Sequence, residues 1–134
     1  MFYTGQTYSM ALHAWLEDDT FLYGTAVLGA SKTVAGTALR LTSLDGVRNV
    51  PVIQNQLWNP FCALSADRRW LAYSSSETGR FDVYGMPFPS GAGKWPISVA
   101  GGTEPAWRAD GKELFYLAPD RYLMSVPIKA SASL

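Results

Sequence analysis

The chain has one cysteine, Cys62, among its 134 residues. An intrachain disulfide and a CxxC metal knuckle are therefore excluded. In the apolar setting Phe61-Cys62-Ala63-Leu64 the thiol is expected to act as a small buried hydrophobe. A reactive thiol or an intermolecular bridge is the competing reading. Histidine is equally scarce: His13 stands alone, so any Ser–His–Asp arrangement must pass through it. It lies in Ala11-Leu12-His13-Ala14-Trp15, an apolar strand-like context that favours a structural or rim histidine over a general base. The nucleophile motif Gly-x-Ser-x-Gly is absent. So is any excess of one charge, with 11 basic residues against 11 acidic ones. Residues 1–60 hold three basic groups (Lys32, Arg40, Arg48) and four acidic ones (Glu17, Asp18, Asp19, Asp45). Without a basic stripe, nucleic acid is not an expected partner. No apolar run approaches the ~18 residues of a membrane span, and residues 1–20 lack a basic region followed by an apolar one. Neither membrane insertion by this segment nor a targeting signal is expected.

Helical periodicity is missing too. Twelve glycines and eight prolines cut the chain into short segments. Between them stand runs rich in aromatic and apolar residues: Trp70-Leu-Ala-Tyr73, Asp82-Val-Tyr84, Glu113-Leu-Phe-Tyr-Leu117 and Leu123-Met-Ser-Val126. Short apolar runs bounded by turn residues read as strands. At 48% apolar and 16% charged residues, the chain is expected to fold around a core, and the fold class is all-β.

The strands repeat. Ser65-Ala-Asp-Arg-Arg-Trp-Leu-Ala-Tyr73 aligns with Arg108-Ala-Asp-Gly-Lys-Glu-Leu-Phe-Tyr116, placing Asp67 on Asp110 and Tyr73 on Tyr116. A fainter copy, Trp15-Leu-Glu-Asp-Asp-Thr-Phe-Leu-Tyr23, is one residue shorter. Arg40-Leu-Thr-Ser-Leu44, Tyr84-Gly-Met-Pro-Phe88 and Met124-Ser-Val-Pro-Ile128 form a second set, and Val50-Pro-Val-Ile53 with Trp95-Pro-Ile-Ser98 a third. A period of about 40–45 residues with up to four strands per unit is the signature of a propeller blade. The expected architecture is a partial β-propeller of about three four-stranded antiparallel blades, an incomplete ring, with units at roughly 9–53, 57–98 and 102–130. Middle strands of a blade are buried on both faces and read as continuous apolar runs, as Leu114-Phe-Tyr-Leu117 does. Asp110-Gly111 is a hairpin signal, and Pro87 and Pro127 are placed at strand ends, where a missing N–H is tolerated.

The turn Ser65-Ala66-Asp67-Arg68-Arg69, its copy Arg108-Ala109-Asp110-Gly111-Lys112, and the apolar strands ending in Tyr73 and Tyr116 resemble the WD40-like repeats of TolB-type propellers. Those repeats carry a Ser-Pro-Asp-Gly-Arg turn. Both copies here depart from it at the Pro position, and the first departs at Gly. Over Gly79-Arg-Phe-Asp-Val-Tyr84, Pro87-Phe-Pro89, Gly93 to Ser98, Gly101 to Trp107 and Asp110 to Pro119, the chain resembles the propeller that follows the kinase domain and membrane span of many bacterial serine/threonine kinases. The resemblance implies a non-catalytic sensory or scaffolding module, a protein or peptide partner, and a location outside the cytoplasm. An accessory propeller segment of a prolyl-oligopeptidase-type hydrolase is the alternative. A ring needs at least four blades, so the chain is expected to be a piece of a larger protein, or to associate through exposed blade faces.

Other residues carry candidate chemistry. Glu17, Asp18 and Asp19 carry oxygen ligands, but without EF-hand spacing they read as a solvated hairpin turn. Gly91-Ala-Gly-Lys94 lacks the spacing of a phosphate loop, and Trp95 stands where Ser or Thr would hold magnesium. Ser74-Ser-Ser-Glu-Thr78 reads as a solvated connection. Trp15, Trp70, Tyr73, Trp107 and Tyr116 recur at repeat positions and are expected in the blade core. Arg68, Arg69 and Arg80 suit loop or strand-entry positions. No residue is assigned as catalytic, metal-binding or cofactor-binding, and no cofactor is expected.

Overall fold

A computed structural model describes residues 7–28, 34–56 and 58–128. Strands make up all of the regular structure there. They are β1 (Thr7–Trp15), β2 (Thr20–Leu28), β3 (Val34–Ser43), β4 (Asn49–Gln56), β5 (Trp58–Leu64), β6 (Trp70–Ser75), β7 (Asp82–Pro87), β8 (Trp95–Pro96), β9 (Thr103–Trp107), β10 (Glu113–Leu117) and β11 (Leu123–Pro127). They form three antiparallel meanders in the orders β1-β2-β3-β4, β5-β6-β7-β8 and β9-β10-β11. The fold is all-β and propeller-like, with sheets of three or four strands. The chain divides into two compact units, Met1–Pro60 and Phe61–Leu134.

The repeat segments fall where a blade needs them. Arg40–Ser43, Tyr84–Pro87 and Met124–Pro127 belong to β3, β7 and β11, the third strands of their sheets. Val50–Ile53 and Trp95–Pro96 lie in the fourth strands, β4 and β8. Pro87 and Pro127 each close a strand. The faint upstream copy is short because its turn is short. Leu16 N–H donates to the Thr20 carbonyl (2.7 Å), whereas Ser65 N–H donates to Trp70 and Arg108 N–H to Glu113, each one position further along (2.9 Å). The missing residue is lost inside the hairpin, so strand register is kept.

In the first unit, Leu22, Leu39 and Leu41 on β2 and β3 are sealed from solvent. Burying each leucine side chain contributes roughly 1.5–3 kcal/mol. In the second unit, Ala72 and Val83 of the middle sheet pack with Leu114 and Tyr116 of the third, and Trp107 and Val126 lean on that cluster. Trp107 also ties the two sheets together by donating its indole N–H to the Ala63 carbonyl (2.9 Å).

Three expectations need correction. β10 is not a continuous buried run: Leu114 and Tyr116 are buried while Phe115 and Leu117 are only half-buried. It packs in depth on one face, and so alternates as a one-sided strand does. Ser74 and Ser75 are not a solvated connection. They extend β6, pair with Val83 and Asp82, and are fully buried; the loop begins at Ser76. Trp15 is not core. It is 51% exposed at the end of β1, stacked on Phe21 (5.6 Å between ring centroids).

Candidate functional site

In an antiparallel meander the first and third turns lie at one end and the second at the other. Loops at such ends carry most binding surfaces. Among the described residues, five turns share one construction. An aspartate is followed by a residue in the left-handed region: Asp18-Asp19 (φ 55°), Asp45-Gly46 (77°), Asp67-Arg68 (59°), Asp110-Gly111 (73°) and Asp120-Arg121 (69°). In the last four, the carboxylate Oδ1 accepts the backbone N–H two positions on, from Val47, Arg69, Lys112 and Tyr122 (2.9–3.2 Å). In the first it accepts the Thr20 hydroxyl. The short acidic side chain thereby satisfies a donor that the tight turn cannot pair through its own backbone. Serine completes two of the turns: Ser43 and Ser65 each donate to their aspartate and accept an N–H, from Arg48 and Trp70. The Ser65 hydroxyl and the Arg69 N–H hold the Asp67 carboxyl below the usual carboxylate range, as Ser43 and Val47 do for Asp45.

A second polar centre, not anticipated from the sequence, organises the passage from the middle sheet to the third. Asp82 at the start of β7 is buried. Its Oδ1 accepts the Ser98 hydroxyl (2.8 Å) and the Gly101 N–H (2.9 Å), and its Oδ2 accepts Arg80 Nε (3.0 Å). Ser98 Oγ in turn accepts the Val83 N–H (2.9 Å). Burial pushes the Asp82 carboxyl up, but the donors from Ser98, Arg80 and Gly101 outweigh it and hold the group below its ordinary value. Two glycines make the approach possible. Gly101 has φ 93°, and a Cβ on Gly102 would sit 2.6 Å from Tyr116 Cδ2. A lone Asp between apolar residues gives no warning of this role, although Gly101-Gly102 marks the connection.

A cleft of about 200 Å³ opens between the β5–β6 and β9–β10 turns. Asp67 and Asp110 stand on its two turns, and Trp70, Trp107, Ala66, Ala109 and Ile128 are among the residues that line it. These alanines stand at the Pro position of the Ser-Pro-Asp-Gly-Arg pattern in both turns. Both indoles are fixed: Trp107 by its bond to Ala63, Trp70 by its edge contact with Trp95 (5.8 Å).

His13 is half-buried, and burial pushes its pKa down. Burial pushes the Cys62 thiol up to about 12, so little thiolate forms at neutral pH. Asp18 pairs with Arg48 (3.7 Å), and the Asp19 carbonyl accepts the Leu44 N–H (2.9 Å). Among the described residues, no group of three His, Cys, Asp or Glu side chains is arranged to hold a metal. Gly91 and Gly93 N–H groups donate to the Pro87 and Gly91 carbonyls, and Lys94 pairs with Glu77 and sits over the Tyr84 ring. That loop is closed on itself rather than open to a phosphate. Arg80 is spent on Asp82 and the Val99 carbonyl.

Solved structures share this architecture. The chain is similar to a putative TolB from Agrobacterium tumefaciens (TM-score 0.61, 18% identity, covering 84% of this chain and 39% of that one). It is similar to TolB from Acinetobacter baumannii (0.65, 16%, 84% and 28%). It is also similar to the β-propeller domain of the Trilobed protease from Pyrococcus furiosus (0.61, 12%, 87% and 35%). No family model and no curated protein matches the chain. The class is thus a TolB-like β-propeller fold, of which the chain spans well under half the length of these structures.

Proposed function

We propose that the chain is a non-catalytic β-propeller module that binds a protein, peptide or small ligand. In this reading it is the sensory or interaction part of a larger bacterial protein, such as a membrane serine/threonine kinase or a TolB-like protein, outside the cytoplasm. The observation that supports it is the use of its polar side chains. The turn aspartates and serines hold their own backbones, and Asp82 holds a connection between sheets. Chemistry spent on rigid turns favours a fixed recognition surface. Self-association through an exposed blade edge belongs to the same reading: Tyr122, Leu123 and Met124 are exposed on and beside β11, the outer strand of its sheet.

The alternative is an accessory propeller of a serine hydrolase, favoured by the likeness to the protease propeller domain. A Gly-x-Ser-x-Gly domain encoded beside this segment would support it; a kinase domain and membrane span would support the first reading. The purified chain should not turn over chromogenic esters or peptide anilides above buffer. Turnover that survives repurification and is lost in His13→Ala would overturn the non-catalytic reading.

A further inference from the structure

We infer that the cleft between the β5–β6 and β9–β10 turns is a subsite for an organic cation, an alkylammonium or guanidinium group, held between Asp67 and Asp110 and against Trp70 and Trp107. The inference rests on the binding-module reading for its biological context, but the cleft can be tested by itself.

The chemistry follows from the lining. Its charged members are two carboxylates, one on each turn, and its largest apolar members are two indoles. A carboxylate offers about four lone-pair sites, so each keeps acceptor capacity beyond its turn bonds. Indole is the best aromatic partner for a cation. Two cations of the chain already act on these carboxylates from outside the cleft lining: Arg108 pairs with Asp110 (3.1 Å) and Glu113 (3.0 Å), and the Arg69 charge acts on Asp67. An incoming cation therefore shares the aspartates with them, and within the lining itself no basic residue stands. An anion would face both carboxylates and is disfavoured. Size narrows the class: about 200 Å³ lies below the roughly 300–1,000 Å³ that holds a drug-sized ligand, and fits a single cationic head on a short alkyl stem. Preorganisation is already built in, because the turns fix the aspartates and the indoles are anchored. Alanine at both Pro positions leaves this space open.

The test is an NMR titration of the chain, following the five tryptophan indole N–H signals. n-Butylguanidinium should shift Trp70 and Trp107 selectively and saturably, at roughly millimolar probe. The neutral n-butanol and the anion butyrate should not. Asp67→Asn with Asp110→Asn keeps the turn chemistry and should weaken binding at least tenfold. Ala66→Pro with Ala109→Pro fills the cleft with a residue favoured at the second position of such turns, and should abolish the shifts without loss of fold. A short peptide with one central arginine distinguishes the sources. Binding at least tenfold tighter than the free probe assigns the site to a protein side chain, and equal or weaker binding assigns it to a free small cation. No shift, equal response to butanol, or undiminished binding in the double-proline variant overturns the inference. Those failures leave the module reading standing, since that reading is tested by turnover and by neighbouring sequence.

Discussion

The middle and third sheets of the second unit use the same repeat and end in different states. β6 and β7 are buried almost along their whole length, down to Ser74, Ser75 and Asp82. β10 is buried at alternate positions, and β11, the counterpart of β7, is mostly exposed. Leu71 is 0% exposed and Leu123 is 68% exposed. Both sheets obey the same turn chemistry, so the local sequence does not set the difference. Depth of packing does: β6 and β7 are covered along almost their whole length and β11 is not.

The joint between these sheets is the most sensitive place to break that relation. Gly102→Ala drives a Cβ into the buried Tyr116 ring, which has no open side to retreat to. It should destabilise the chain by about 3 kcal/mol in a denaturant melt. A change below 1 kcal/mol would mean that the third sheet is not seated on this connection. Two leucines at different depths should respond differently. Leu71→Ala in β6 should cost about 3 kcal/mol and Leu117→Ala in β10 about 1 kcal/mol, because only the first leaves a closed cavity. Equal losses would erase the contrast.

Asp82→Ala should cost about 2 kcal/mol, by leaving the Ser98 hydroxyl and the Gly101 N–H without their acceptor. Its pH dependence has a definite sign. The folded carboxyl titrates below its unfolded value, so its contribution is complete above about pH 4 and is lost as the pH falls further. The gap between wild type and Asp82→Asn should therefore narrow on acidification from pH 5 to pH 2, read by urea melts. A gap that widens would reverse the assignment.

The smallest effects concern the turns and sharpen what the two sheets share. Arg68 and Arg121 occupy left-handed backbone where Gly46 and Gly111 serve elsewhere. Arg68→Gly and Arg121→Gly should each stabilise by about 0.5–1 kcal/mol, and Gly111→Ala should cost about 1 kcal/mol although its Cβ meets open space. Thermal melts resolve changes of this size.

How far the sequence reached can be traced through these residues. The period, the turns at Asp67 and Asp110, and the third strands at Arg40, Tyr84 and Met124 were legible because turn chemistry and apolar runs are local. The reach ended where tertiary context decides. The aspartate at position 82 looks like any strand-entry polar residue until Ser98 and Gly101 fold back on it. Ser74 and Ser75 are polar by composition but paired in β6. Trp15 matches a repeat position yet ends on an exposed corner. The cleft was half-visible: the Ala66 and Ala109 departures were evident, but not that the two turns stand beside each other across it.

Hydrogen exchange on the chain at a concentration where it is monomeric tests the contrast most directly. β6 and β7 amides should exchange only at the rate of global unfolding, and β11 amides roughly a hundredfold faster or more. Equal protection of β11 and β6 would contradict the graded burial of the two sheets.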